Sequence, residues 1–239
     1  MSKPIAASNP LHLYLVRHGE TPWVLTQQHT GITEVPLTTD GAHEAQELGR
    51  HLKKVRFAQV FSSPRQRCRQ TCALAGLGQA AVIDADLAEL NYGDYEGQRS
   101  EEIRLARPDW EIFLDGCPNG ESTKELSDRA DRVIARLKLL SGNIALFTHG
   151  QFGCALTARW IGLAVESAMH FTLDTASFSV LSFDHHHPDI PVVENWNAMG
   201  HELPVADTPE VAMAGGKAYW DKSTPKWDSN EPPEDLRLF

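Results

Sequence analysis

Three apolar stretches of this chain each run into side chains that could handle a phosphoryl group. LYLV leads to Arg17-His18, VFSS leads to Pro64-Arg65, and IALFT leads to His149. Arginine stays charged and forks onto two oxygens at once. A neutral histidine carries a lone pair that can take a phosphoryl group onto nitrogen. The transition state spreads charge over three equatorial oxygens, so arginines and a protonated histidine around that plane would stabilise it without a metal. The leaving alkoxide also needs a proton. Glu89, in LAELNYGDYEG, is a candidate donor, because a carboxyl held opposite a phosphate dianion keeps its proton toward neutral pH. Asp94, Glu96 and Glu121 are rivals that charge alone does not exclude.

These groups meet only if the elements carrying them are neighbours. Leu11–Val16, Ala58–Phe61, Ala81–Ile83 and Asn143–Phe147 read as short buried strands, and Phe178–Phe183 and Val192–Trp196 as two later ones. Between them, Ala42, Ala45, Leu48 and Leu52 recur at helical spacing from Thr39 to about Lys54. Ser63-Pro64 opens a further helix, whose free N–H groups would add to an anion site. Ser122 and Glu125 form a capping box before the apolar face Leu126, Ala130, Val133, Ile134 and Leu137, and an apolar helix follows His149 to about Trp160. Strands alternating with helices imply an α/β layer fold with a mainly parallel sheet, in which ligands bind beyond the carboxyl ends of the strands. Gly19 is expected to let the chain turn closely around a phosphate. Residues 1–199 are read as one domain, and residues 200–239, rich in proline, glycine and acid, as an irregular tail.

The net charge of −10 argues against nucleic-acid or anionic-membrane binding, so a local cluster must hold any anion against the overall field. The expected partner is a small phosphate ester. Self-association is compatible with the sequence, which sets no subunit number. Cys68, Cys72, Cys117 and Cys154 are too few in 239 residues for a disulfide framework and are read as packed thiols. MSKPIAASNP lacks the apolar core of a signal peptide, and the expected compartment is the cytoplasm. The run His185-His186-His187 is read as an exposed turn between late strands rather than a metal site, and no metal or cofactor is expected.

The motifs taken in order carry a further reading. LVRHGET is followed by Thr30-Gly31, Pro36-Leu37-Thr38, Gly41, SSPRQRCRQT, Glu89 with Tyr92-Gly93, Gly120-Glu121-Ser122 and His149-Gly150. This series, from Leu13 to Trp196, resembles the histidine phosphatase superfamily, which includes phosphoglycerate mutases and small-molecule phosphatases. The resemblance implies a three-layer α/β/α sandwich with a mixed, mainly parallel sheet. It makes His18 the nucleophile, Arg17, Arg65 and His149 the phosphate pocket, and Glu89 the proton donor. Thr30, Gly31 and Tyr92 match positions that face the substrate in relatives, and Gln28 and Gly150 join them as substrate-binding candidates. Trp23 and Arg69 are read as structural supports, and Arg67 as solvated or structural.

QHTGITEVPLT, NYGDYEG, DGCPNGES and VLSFDHHHPDIPVVENWN are similar to fungal sedoheptulose-1,7-bisphosphatases and related bacterial phosphatases. That likeness implies a sugar phosphate or bisphosphate as substrate. Three positions depart from the family pattern. Val24 stands where many relatives have asparagine, His29 where an aromatic residue is common, and Cys154 where relatives often have arginine. The last two weaken the case for a second phosphate contact. A phosphoglycerate mutase is the nearest alternative activity. It is disfavoured because the segment from Glu89 to Glu121 is shorter than the mutase insert.

Overall fold

The structure, a computed structural model, describes residues 10–199. The tail expected beyond residue 199 lies outside the described residues. Six strands form one sheet: β1 (His12–Arg17), β2 (Phe57–Ser62), β3 (Ala81–Ile83), β4 (Asn143–Thr148), β5 (Phe178–Phe183) and β6 (Pro191–Ala198). Their order across the sheet is β3-β2-β4-β1-β5-β6. The first four in chain order pair in parallel, while β5 is antiparallel to both β1 and β6. The sheet is therefore mixed, as expected.

The helices are α1 (Pro22–Leu25), α2 (Thr39–Leu52), α3 (Gln66–Leu74), α4 (Ser100–Ala106), α5 (Ile112–Asp115), α6 (Thr123–Leu137) and α7 (Gly150–Trp160). Side chains alternate across a strand, so each strand feeds two cores. Leu13, Leu15, Ile144 and Leu146 pack with the apolar faces of α6 and α7. Val16, Val60, Ala145 and Phe147 pack on the other face with Leu48, Leu52 and Cys72 of α2 and α3. The result is the three-layer α/β/α sandwich. Among the described residues, no helix is long and apolar enough to cross a membrane.

Two local expectations shift. The Ser63-Pro64 helix begins two residues later, at Gln66, with Arg65 as its N-cap. Its first N–H is not free: Gln66 donates to Glu34 at 2.6 Å. Ser63 is released from capping and turns into the site. Gly19 also has a packing reason to be small. A Cβ there would lie 2.4 Å from the Gly41 carbonyl oxygen, so the packing of α2 against the turn after β1 demands glycine.

Candidate active site

Parallel pairing aligns the carboxyl ends of β2, β4 and β1. Arg17 lies opposite Thr148, and Ser62 opposite Phe147. The residues just beyond these ends, Ser63, His149 and His18, are all buried. The two imidazoles lie edge to face with centroids 5.2 Å apart. Beside them opens a cleft of about 440 Å³, reached by Arg17, His18, Glu89 and Tyr92 among others.

Hydrogen bonding fixes the state of each histidine. The His18 Nδ1 lies 2.8 Å from the Gly19 carbonyl oxygen. A carbonyl only accepts, so Nδ1 carries the proton and Nε2 keeps its lone pair. Burial, with the charges of Arg67 and Arg17, pushes the His18 pKa well below the ordinary histidine value and holds the ring neutral. For His149, Arg67 donates from Nε to Nδ1 at 3.2 Å. A guanidinium cannot accept, so the proton sits on Nε2, which donates to Ser63 Oγ at 2.7 Å. Burial first, then Arg67, His18 and Arg65, push the His149 pKa well down as well. Burial among arginines thus favours the neutral ring at both positions.

The arginines divide differently from the sequence reading. Arg17 reaches the cleft. One of its Nη atoms donates to the Leu173 carbonyl, while its buried Nε has no partner among the described residues. That guanidinium lies beside the start of α7, where a Cβ at Gly150 would be in ordinary contact with it, 3.4 Å from Arg17 Nε. Arg67, read as solvated or structural, is fully buried and ties the site together. Besides His149, it donates to the carbonyls of Thr30 at 2.7 Å, Gly31 at 3.2 Å and Thr33 at 3.1 Å. Arg65, placed in the pocket from the sequence, lines the cleft on the other side of Glu89 and acts on His149 by its charge, with its guanidinium 3.6 Å from Glu34. A buried arginine two residues into a helix, on the turn facing β4, was the available signal. The helix start assigned to Pro64 obscured it.

Glu89 lies across the cleft from Arg17, pinned to the first turn of α7. Its carboxylate accepts from the backbone N–H of Gln151 at 3.1 Å, Phe152 at 2.9 Å and Leu90 at 2.9 Å. A helix N-terminus favours a negative group there. The segment carrying Glu89 is itself anchored. Arg129 donates to the carbonyls of Asp86 and Ala88 at 2.8 and 2.7 Å, and Thr148 Oγ1 donates to Leu87 at 2.7 Å.

The rival carboxylates are engaged elsewhere. Glu121 forms a two-point pair with Arg129, at 2.7 Å on each arm. Glu96 accepts from the N–H groups of Gly31 and Thr33, and Asp94 accepts from Asn119.

Of the substrate-binding candidates, Gln28, Thr30, Tyr92 and Gly150 line the cleft. The amide of Gln28 is bonded at both ends, to the Gly97 carbonyl at 2.8 Å and to Thr26 at 2.6 Å. Gly31 does not reach the cleft; it is held by Glu96. His29 substitutes for an aromatic by behaving as one, stacked on Tyr92 with centroids 4.6 Å apart. Burial pushes its pKa down to about 4. Trp23, Val24, Gln27, Cys154 and the Phe171–Asp174 loop also wall the cleft. Nothing in the local pattern of that loop marked it. The four cysteines are buried and free, and His185–His187 lie exposed in the β5–β6 connection.

The profile of the histidine phosphatase superfamily (branch 1) matches residues 13–197. An acid phosphatase of Mycobacterium tuberculosis is 39% identical over 198 residues, covering 81% of this chain and 96% of its own length. The sedoheptulose 1,7-bisphosphatase of Saccharomyces cerevisiae is 32% identical over 244 residues, covering 75% of this chain and 90% of its own. A solved open reading frame product of Mycobacterium tuberculosis superimposes with a TM-score of 0.75 at 36% identity, over 80% of this chain and 98% of its own. This chain belongs to the histidine phosphatase superfamily. Within it, the chain is an enzyme of the phosphoric monoester hydrolase class.

Proposed function

We propose that the chain hydrolyses a small phosphorylated metabolite, a sugar phosphate or bisphosphate, through a phosphohistidine on His18 and without a metal. The observation that carries this reading is the Nδ1–H bond from His18 to the Gly19 carbonyl, which leaves a neutral ring with its Nε2 lone pair free. That nitrogen attacks phosphorus as the P–O bond to the leaving group breaks. Glu89 gives its proton to the departing alkoxide. Water then attacks phosphorus as the P–N bond breaks and returns its electron pair to His18 Nε2, Glu89 takes the proton of that water, and inorganic phosphate and the alcohol are the products. Arg17, with donors still free, binds the phosphoryl oxygens. Arg67 adds charge from behind while holding His149 and the Thr30–Thr33 loop in place. His149 packs against His18, with ring centroids 5.2 Å apart. Water relieves the phosphoenzyme, so the cycle needs no cofactor. The buried, free cysteines and the net charge of −10 support a cytoplasmic enzyme acting on a free small molecule, with no nucleic-acid or membrane partner.

The test is a phosphate-release screen over sugar mono- and bisphosphates and phosphoglycerates, in EDTA and without added bisphosphoglycerate. It is paired with trapping of labelled phosphoenzyme. Turnover in EDTA and an acid-labile label absent from His18→Ala are expected. Loss of activity on chelation, or label persisting in His18→Ala, would overturn the mechanism.

A further inference from the structure

On the hydrolase reading, the cleft wall narrows the leaving group. Among the described residues that reach the cleft, Arg17, Glu89 and Asp174 bear formal charges. Arg17 and Glu89 lie at the base, where the phosphoryl group and the bond to be broken must sit. The rest of the wall includes Val24, Gln27, Gln28, Cys154, Phe171 and Thr172, none of them cationic. Burial pushes the Cys154 thiol up to about 12, so it remains neutral.

The one other formal charge on this wall, among the described residues, is the Asp174 carboxylate, near enough to Arg17 to act on its charge, and it is held in place. Asp174 N–H donates to Asn197 Oδ1 at 2.7 Å, and Asn197 Nδ2 donates back to Asp174 Oδ2 at 2.7 Å. This two-point clasp joins the loop to β6. A second phosphate on the substrate would bring a dianion to a wall that offers a fixed like charge and no cation. The cleft on the far side of Glu89 has three arginines, and each has a carboxylate within 4 Å. Arg65 faces Glu34, Arg129 holds Glu121, and Arg132 lies 3.3 Å from Asp86.

We propose that this site selects monophosphate esters with an uncharged, hydroxyl-bearing leaving group, Asp174 being the specificity residue that repels a second phosphate and accepts hydrogen bonds from substrate hydroxyls. The narrower class rests on the hydrolase reading above.

The experiment compares kcat/KM for fructose 6-phosphate and fructose 1,6-bisphosphate, with p-nitrophenyl phosphate as the reference ester. The wild type should prefer the monophosphate by about tenfold or more. Asp174→Asn should narrow that ratio while preserving the shape of the clasp, and Asp174→Lys should abolish or reverse it. The wild-type ratio should also shrink between about 0.05 and 0.5 M salt, as the screening length falls from roughly 14 to 4 Å. A bisphosphate used as well as the monophosphate overturns the selectivity. So does a ratio that neither substitution nor salt moves. Failure to turn over any ester, the aryl phosphate included, would instead sink the hydrolase reading.

Discussion

His29 offers a sharp test of the electrostatics, because its pKa is shifted by packing that a phenylalanine could reproduce. The ring stacks on Tyr92 with an interplanar angle of 23°, meets Trp110 edge-on at 5.7 Å, and places Nε2 3.1 Å from Ser100 Oγ. Burial lowers its pKa from 6.5 to about 4, with Arg104 adding to the effect and Glu96 opposing it. The unfolded chain therefore binds this proton first as pH falls. Stability from a neutral His29 is intact above the unfolded value and is lost progressively as pH falls toward the folded one. Over the interval from about pH 7 to pH 5, that linkage amounts to roughly 1–2 kcal/mol. His29→Phe keeps the stacking but loses the Ser100 contact, at a cost of about 1 kcal/mol. The variant should therefore be slightly less stable than wild type near neutrality and equal to it or more stable near pH 5. Urea denaturation at both pH values, with unchanged m-values, measures the crossing. His18 and His149 are shifted in the same direction but remain in both proteins, so their contribution cancels in the comparison. Parallel pH profiles for the two proteins would refute the reasoning.

Substitutions at three other residues probe the proposed site. His18→Ala should abolish both turnover and trapped phosphoenzyme, read by rapid-quench labelling. Glu89→Gln should slow alkyl phosphates by about 10²–10⁴-fold and aryl phosphates much less, since a good leaving group needs little protonation; an equal loss on both would remove Glu89 from the proton-transfer role. Arg67→Met strands the buried His149 Nδ1 and three carbonyls, so urea unfolding should show a loss of about 3 kcal/mol or more, and Arg67→Lys should recover only part of it.

The residues that announce themselves in the sequence are those whose chemistry is local. Arg17, His18 and His149 follow apolar runs, and the run length alone delivers them to the rim. The α6 capping box and its apolar face were legible because both depend on spacings within one helix. What stayed hidden depends on contacts between distant segments. Arg67 differs from Arg65 in role only because α3 begins at Gln66, which turns one side chain toward β4 and the other toward Glu34. Asp174 enters the cleft through a loop whose course is fixed by Asn197, 23 residues later, and no periodicity encodes that pairing.

The same division runs through the chemistry. Residue types told that two histidines would meet phosphate, but not which nitrogen of either would be free. That choice is made by the partner each ring is given. A backbone carbonyl takes the proton of His18 Nδ1, and a guanidinium that cannot accept forces the proton of His149 onto Nε2. Each partner is itself fixed by packing. Gly19 is held against Gly41 of α2, and Arg67 is held by the carbonyls of the Thr30–Thr33 loop. A change that loosened either contact would leave every candidate catalytic side chain in place and still alter the proton pattern on which attack at phosphorus depends. Buried positions such as Gly41 and Thr71, whose Oγ1 accepts from the Gly19 N–H at 3.0 Å, therefore help to position the proposed nucleophile although they never face the cleft.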